Sequence, residues 1–407
     1  MLHRSRPLQG EVDLNDVCRG DGYLFVRDGA GVAGRGCTLD ITEDDVDAVL
    51  TALHPAAGSP VAPAPHGPLL LGTVPFLPSS PARFVLPRLI ITKDADGAAW
   101  ATITGPTEDN VSDEALDSEL QAALSVNRPR TGAHSFTVAP ATPVDSYLAT
   151  VAAARDAVRN GDLVKAVIAR DIVVTADGPI DVHSVLLRLK ASFGSSYRYC
   201  IDGFVGASPE LLVSVDGRTV RSHPLAGTAP RTGDATTDAR LAADLMASTK
   251  NQVEHRVVID MVHDTLLPHC SYLDWEPEPS IVTVANVQHL GTAIEGALSE
   301  PKPSVMSLVR LLCPTPALGG SPSKAAIDFI TAHEYSDRGN YGGAVGWLDA
   351  RGNGTFAVSI RCAEFSADRT SARLYAGGGI VAESEPEAEL AETQAKFQAM
   401  LSAIVRP

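Results

Sequence analysis

The feature that most constrains the fold of this chain is an irregular succession of short strand-like and helix-like segments. Runs rich in β-branched residues, bounded by Gly and Pro, alternate with segments whose apolar residues recur at helical spacing. The gaps between them vary too much for a repeated strand–helix–strand unit, and several neighbouring runs have the pattern of hairpins. We therefore predict one large α/β domain, in which extensive and mostly antiparallel β-sheets frame a central cleft and helices lie outside.

These signals differ in strength along the chain. Residues 1–135 carry weak ones, with antiparallel strands indicated over 65–105 and an acidic helix or loop over 107–131, and are predicted to be an N-terminal part of the same fold. Residues 140–405 carry strong ones and are predicted to hold the functional region. The patterns there predict helices capped at Thr142, at 238–247, 251–267, 304–312, 322–332 and 386–404, and strands at 199–206, 210–215, 281–285, 343–348, 355–362 and 373–377.

Charge and cysteine spacing exclude several classes of protein. The 407 residues include 33 Lys and Arg against 49 Asp and Glu, a formal net charge of 33 − 49 = −16, which argues against nucleic-acid binding. No apolar run is long enough to span a membrane, and no apolar stretch follows the first basic residues. The six cysteines form no CxxC pair, so reduced thiols in a cytoplasmic protein are expected.

Chemistry-bearing residues concentrate on the last predicted helix. Glu389, Glu392 and Lys396 stand at i, i+3 and i+7, which places them within about 60° of arc on one helix face. Taken alone, this pattern is also that of an exposed acidic face with an i,i+4 Glu392–Lys396 ion pair.

Three consecutive glycines, Gly377, Gly378 and Gly379, precede this helix. We expect them to form a turn after a strand at Arg373–Ala376, whose backbone N–H groups could approach an anion closely. GxGxxG and GK[ST] motifs are absent, so a carboxylate is favoured over a polyphosphate as the ligand. A tight turn without a ligand is the alternative.

A second acidic residue, Glu254, lies on another predicted helix among Val253, Val257 and Val258. Alone it would be read as a structural residue. Two helices that each offer a glutamate near a Gly-rich anion site instead suggest hard oxygen ligands for Mg²⁺, with substrate oxygens and waters completing the coordination.

Two further residues are candidates for proton transfer because they lie in apolar segments. Lys165 occurs within LVKAVIAR, where burial would favour a neutral amine that could act as a base. Glu210 occurs within GFVGASPELLVSV, where burial would raise the pKa of its carboxyl and favour the protonated acid. A snorkelling lysine and a solvent-facing glutamate are the alternatives.

Together these segments resemble the chorismate-utilising enzymes, which include anthranilate, aminodeoxychorismate, isochorismate and salicylate synthases. The resemblance covers about residues 140–405, and its blocks PTPALGGSP and VQHLGT are most similar to those of isochorismate synthases. The blocks that carry it are, in order, KAVIAR, ASPELL, HPLAGTAPR, STKNQVEHRVVIDMVHD, VQHLGTAIEG, LCPTPALGGSP, YGGAVGW, SIRCAEF and YAGGGIVAESEPEAELAETQAK.

The resemblance implies Mg²⁺-dependent conversion of chorismate to isochorismate, by addition of water at C2 and loss of the C4 hydroxyl. It implies that Lys165 is the general base, Glu210 the general acid, Glu254 and Glu392 the metal ligands, and Glu389 an acid beside the metal. The positions that it implies contact the substrate are Gly227, Thr228, His289, Tyr341, Arg361, Gly377, Gly378, Gly379 and Lys396. Members that use ammonia resemble one another in lacking a lysine at position 165, so no amidotransferase partner is expected, and the resemblance favours a monomer.

Two departures from the family pattern leave alternatives open. Asn251 stands where other members often carry an acid, three residues before the first metal glutamate. Tyr341 is similar to the residue of salicylate synthases, whereas Ile360 is not, so formation of salicylate with loss of pyruvate is an alternative activity. A protein that binds chorismate without turnover is the alternative of another class. The resemblance does not choose between menaquinone and siderophore biosynthesis.

Overall fold

The computed structural model describes residues 1–125, 135–284 and 287–405. The described helices are α1 Leu14–Cys18, α2 Val46–Thr51, α3 Asp113–Leu124, α4 Val144–Arg159, α5 Val182–Ser192, α6 Ala235–Ala247, α7 Thr249–Leu266, α8 Val305–Leu312, α9 Ser323–His333 and α10 Pro386–Val405. The described strands are β1 Leu2–Leu8, β2 Tyr23–Arg27, β3 Ala30–Thr42, β4 His54–Pro55, β5 Leu69–Val74, β6 Arg83–Lys93, β7 Ala99–Gly105, β8 Phe136–Pro140, β9 Lys165–Ala176, β10 Tyr197–Ile201, β11 Phe204–Ser208, β12 Leu211–Asp216, β13 Thr219–His223, β14 Leu225–Pro230, β15 Cys270–Trp275, β16 Ser280–Thr283, β17 Val287–Gly291, β18 Ile294–Leu298, β19 Gly320–Ser321, β20 Ala344–Asp349, β21 Gly354–Val358, β22 Cys362–Phe365 and β23 Ser371–Ile380.

The strands form one sheet of 20 strands and a second sheet of three, β14, β17 and β16. Among the described residues every strand pairing is antiparallel except that of β1 with β4. Strands from both ends of the chain share the large sheet, since β2 pairs with β10 and β5 pairs with β20. The predicted single α/β domain with mostly antiparallel sheet is confirmed, whereas the boundary near residue 135 stays a prediction.

Helices cover the large sheet through apolar side chains. One buried cluster joins α1, α3, α5 and α10 to strands that include β7, β9 and β23, and a smaller one joins α4 and α9 to β9. On α10, Phe397 and Ile404 are fully buried and Leu390 and Leu401 partly so, as their predicted arc requires. Packing of this face fixes the rotation of α10 and thereby aims Glu389, Glu392 and Lys396.

Several element boundaries differ from the sequence prediction. The strand predicted at 199–206 is a hairpin of β10 and β11 that turns at Asp202 and Gly203, both of which have positive φ. The strand predicted at 355–362 breaks over residues 359–361, between β21 and β22. Thr142 does not cap α4, because its hydroxyl donates instead to the buried carboxylate of Asp171.

The helices of these described ranges do not have the character of membrane spans. None of them combines the length and the apolar character that crossing a bilayer requires.

Candidate active site

A polar cavity of about 270 Å³ lies where the two sheets approach each other. It receives side chains from strands of both sheets, from the first turns of α7 and from α10. Twelve of the fourteen predicted site residues line it: Glu210, Gly227, Thr228, Glu254, His289, Tyr341, Arg361, Gly377, Gly379, Glu389, Glu392 and Lys396. The other two, Lys165 and Gly378, lie directly behind this lining, in contact with residues that form it.

Lys165 begins β9 and is 4% exposed. Its Nζ donates to Oε1 of Glu254 across 2.6 Å, while the Glu254 side chain keeps 18% of its surface exposed. The pair joins the large sheet to α7, and the carboxylate compensates for the burial of the ammonium. In this structure Lys165 is therefore a hydrogen-bond donor, and it could act as a base only after giving up a proton.

Glu210 lies between β11 and β12 and is 2% exposed. Burial raises the pKa of its carboxyl to about 8, against the opposing effects of the Leu225 N–H group and of the charges on Lys165 and Arg361. That N–H group donates to Oε1 of Glu210 across 3.3 Å and orients it. The predicted rise in pKa is confirmed, and at neutral pH this residue is a protonated carboxylic acid that faces the cavity.

The three glycines do not form the predicted turn. They lie inside β23, where Gly377, Gly378 and Gly379 pair with residues 169, 168 and 167 of β9. The reason for glycine here is the close approach of functional side chains. A Cβ on Gly377 would lie 3.0 Å from the Tyr341 hydroxyl, one on Gly378 2.7 Å from Oε2 of Glu389, and one on Gly379 2.7 Å from Cε of Lys165.

Three charged side chains of α10 meet beside these glycines. Lys396 Nζ donates to Oε1 of Glu392 across 2.6 Å and to the carbonyl oxygen of Gly377 across 2.7 Å. The lysine holds the pKa of Glu392 below its usual value, whereas burial and the charge of Glu392 raise the pKa of Glu389. The i,i+4 pair that the sequence suggested as a surface feature therefore lies at the cavity wall.

Three carboxylates, a type of ligand that divalent cations prefer, line this wall. Glu254, Glu389 and Glu392 line the same cavity, and within the described ranges Oε2 of Glu389 is buried without a hydrogen-bond partner. Ser384 donates to the other oxygen of Glu389 across 2.8 Å and fixes the carboxyl group. Carboxylate oxygens are hard donors of the kind that Mg²⁺ prefers. In this structure Glu254 pairs with Lys165 and Glu392 with Lys396, and among the described residues no group of three or more acidic, His or Cys side chains is arranged to hold a metal ion. The surroundings of Glu254 differ from the prediction in one respect. Val253, which was expected to be packed beside it, is 61% exposed.

The cavity lining also includes a cation and aromatic rings. Arg361 is 9% exposed, and its Nη2 donates to Nε2 of His289 across 3.1 Å. The ring of Tyr341 stacks on that of Tyr375, with centroids 5.5 Å apart and an interplanar angle of 11°. Ile360 also lines the cavity, so the Tyr341 and Ile360 pair that the sequence singled out meets in one site.

Sequence reasoning missed Lys250, an exposed lysine that lines the cavity at the start of α7. The N-cap of α7 positions it, because Ser248 Oγ accepts from the N–H group of Asn251 and so starts the helix just before Lys250. Asn251 Nδ2 donates to the same hydroxyl across 2.9 Å, and Gly227 approaches the Asn251 side chain closely. The family's acid is therefore replaced here by an amide that packs against β14.

Comparisons with known proteins identify relatives of this chain. A sequence model of the family described as "Chorismate binding enzyme" matches residues 54–405. A Mycobacterium tuberculosis protein that bears the name MenF is 40% identical over 402 residues, which cover 95% of each chain. The isochorismate synthase DhbC of Bacillus subtilis is 36% identical over 348 residues, covering 83% of this chain and 81% of DhbC.

Solved structures show the same architecture. The menaquinone-specific isochorismate synthase MenF of Escherichia coli superposes with a TM-score of 0.84 at 25% identity, covering 99% of this chain and 94% of MenF. Anthranilate synthase component I of Streptococcus pneumoniae shares the fold, with a TM-score of 0.74 at 23% identity over 98% of this chain and 92% of that one. From the family match and these relatives, we conclude that the chain belongs to the chorismate-binding enzyme family.

Proposed function

We propose that this protein is an isochorismate synthase that converts chorismate to isochorismate with Mg²⁺ as cofactor. The observation that carries the proposal is the joint presence, at one cavity, of a buried lysine and a buried carboxylic acid that is protonated at neutral pH. A reaction that adds water at one end of the conjugated ring diene and removes hydroxide from the carbon next to its other end needs one base and one acid. The relatives named isochorismate synthases support the choice of reaction.

The residues of the chain divide the proton transfers between them. Lys165, once its amine is neutral, removes a proton from water as the water oxygen bonds to C2 of the ring. The C1–C2 double bond shifts to C1–C6, the C5–C6 double bond shifts to C4–C5, and the C4–oxygen bond breaks. Glu210 donates its proton to the departing hydroxyl, which leaves as water, so one water enters and one leaves.

The charge at the cavity suits a dianionic substrate in an acidic protein. Arg361 and Lys396 can pair with a carboxylate of chorismate, and Lys250 adds a further cation at the lining. Glu254 and Glu392 would hold Mg²⁺, with Glu389 beside them, and the bound ion would neutralise the second carboxylate of the substrate. Gly227 and Thr228 would shape the wall against the ring.

The proposal extends to where and how the protein works. All six cysteines are free thiols, which fits a reducing compartment such as the cytoplasm. Lys165 favours water over ammonia as the nucleophile, and so favours an enzyme that needs no amidotransferase subunit. A single chain contains every residue assigned here, in keeping with a monomer.

Product analysis tests the proposal. Purified protein is incubated with chorismate and Mg²⁺, and the products are separated by chromatography. Isochorismate is the expected product, in equilibrium with chorismate. Salicylate with pyruvate would instead assign the activity of a salicylate synthase, which the Tyr341 and Ile360 pair leaves open. Chorismate binding without turnover would identify a silent binding protein.

A further inference from the structure

Both ring nitrogens of His289 are engaged by protein groups. The residue lies in β17 of the small sheet and is 7% exposed. Nδ1 lies 3.0 Å from the carbonyl oxygen of Gly227 and 3.2 Å from the hydroxyl oxygen of Thr228, which can also accept, and Nε2 lies 3.1 Å from Nη2 of Arg361. A carbonyl oxygen can only accept and a guanidinium can only donate. The ring must therefore donate from Nδ1 and accept at Nε2, which is the neutral Nδ1–H tautomer.

The surroundings keep this ring neutral. Burial and the charge of Arg361 lower the pKa of His289 to about 3, with Lys396 acting in the same direction. The Gly227 carbonyl and Glu392 act in the opposite direction but with less effect. A second proton, on Nε2, would also point at a guanidinium N–H group. His289 thus has no proton to exchange with a substrate over the pH range in which enzymes are usually assayed.

Arg361 has few other constraints on its side chain. Its backbone φ is +52°, in the left-handed region that is uncommon for residues other than glycine. Its carbonyl oxygen accepts from the N–H group of Ala207 across 3.1 Å, which holds the backbone. Within the described ranges, the hydrogen bond to His289 is the one side-chain hydrogen bond that its guanidinium makes. That contact therefore decides where the guanidinium points.

We propose that His289 is a positioning residue that acts through Arg361, and that it does not transfer a proton to the substrate. The imidazole is oriented by Gly227, on a bulge of the small sheet, and in turn orients Arg361, which lies between β21 and β22 of the large sheet. It thereby aligns the two walls of the cavity and aims the guanidinium at a substrate carboxylate. The inference rests on the proposed function, because that function supplies the anionic substrate.

Two isosteric variants separate the contact of His289 with Arg361 from its contact with Gly227. In His289→Gln the amide oxygen can replace Nε2 as acceptor for Arg361, whereas in His289→Asn the amide nitrogen can replace only Nδ1 as donor to Gly227. We expect His289→Gln to keep kcat/KM within roughly threefold of wild type. We expect His289→Asn to lower it by about 10- to 100-fold, mainly through a higher KM for chorismate, since a hydrogen bond to a charged group is lost.

A double-mutant cycle tests whether the effect passes through Arg361. In an Arg361→Ala background, the change from His289 to Asn should cost almost nothing further. Equal losses of kcat in both His289 variants, or additive losses in the double variant, would overturn the proposal. So would a limb of the wild-type pH profile that both His289 variants remove.

A measurement on the wild-type protein keeps the inference testable if a variant fails to fold. Burial also lowers the pKa of His3 and of His255 to about 4, so nitrogen-15 spectra of protein labelled at its 11 histidines should show three imidazoles that stay neutral from about pH 5 to about pH 9. That of His289 should be the Nδ1–H tautomer whose Nε2 accepts from an arginine side chain, and its absence would contradict the proposal. Titration of every histidine in that range would contradict the proposal. Wild-type protein that binds chorismate without forming isochorismate would refute the proposed function alone. In that case His289→Asn should still raise the Kd for chorismate more than His289→Gln does. Equal Kd values for the two variants would refute the role of His289.

Discussion

Replacing Glu210 by Gln should remove a specific pH dependence of stability. The buried carboxyl has a pKa of about 8 in the folded protein against 4.5 in the unfolded chain. A group whose pKa is raised on folding contributes stability that is fully present below the unfolded value and is lost as the pH rises through the folded value. Wild-type protein should therefore lose stability between about pH 4.5 and pH 8 on account of Glu210.

The size of this effect follows from the shift. A difference of 8 − 4.5 = 3.5 pKa units corresponds to a change in unfolding free energy on the order of 5 kcal/mol between the ends of that window. Glutamine has nearly the shape of the protonated acid and does not titrate. The stability of Glu210→Gln minus that of wild type should therefore rise with pH by an amount of this order and level off above about pH 8.

Urea denaturation of metal-free protein, repeated across this pH range, measures the difference. Glu278→Gln is the matched control, because the same chemical change is then made at an exposed residue. The activity of Glu210→Gln should be abolished, since an amide cannot supply the proton, and wild-type kcat/KM should fall above about pH 8 as the acid ionises. A difference in stability that stays flat with pH would show that Glu210 is ionised in the folded protein and would refute its assignment as the acid.

Three further substitutions test other parts of the site. Lys165→Ala should abolish turnover while circular dichroism shows a retained fold. Lys324→Ala is the control at an exposed lysine, and near-normal turnover of Lys165→Ala would exclude Lys165 as the base. Glu392→Gln should shift the Mg²⁺ dependence of activity to at least about tenfold higher concentration, whereas Glu387→Gln on the exposed face of α10 should not. Identical Mg²⁺ titrations of Glu392→Gln and wild type would exclude Glu392 as a ligand. Gly379→Ala should cost about 1–3 kcal/mol in urea denaturation and lower kcat strongly, because its Cβ would overlap the lysine side chain; wild-type values would contradict the close approach.

Periodicity predicted the elements whose packing is simplest. The apolar arc of α10 is buried as expected, and with it the rotation that brings Glu389, Glu392 and Lys396 to the cavity. The raised pKa of Glu210 was also predictable, because an acid among apolar residues has few ways to escape burial.

The glycines show why other features were not predictable. From sequence, three consecutive glycines read as a turn, because glycine is flexible and weakens a strand. In the structure they continue β23, since β9 pairs with every one of them and functional side chains occupy the space where Cβ atoms would lie. That reason exists only once distant segments have come together.

Long-range contacts also explain the remaining errors. Thr142 has the chemistry of a helix cap, but a buried carboxylate on β9 competes for its hydroxyl. The hydrogen bonds that link Gly227, His289 and Arg361 join three segments far apart in sequence, so no local pattern indicates them. Lys250 was missed because an exposed lysine has no pattern that distinguishes it from a solvated one.

The most direct test of the proposed function is to follow the oxygen atom of water. Protein, chorismate and Mg²⁺ are incubated in water labelled with oxygen-18, and the products are analysed by mass spectrometry at low conversion. The account predicts isochorismate with one labelled oxygen, at the C2 hydroxyl, in the wild-type protein and none formed by Lys165→Ala. Isochorismate without the label, or no isochorismate at all from wild-type protein, would contradict it.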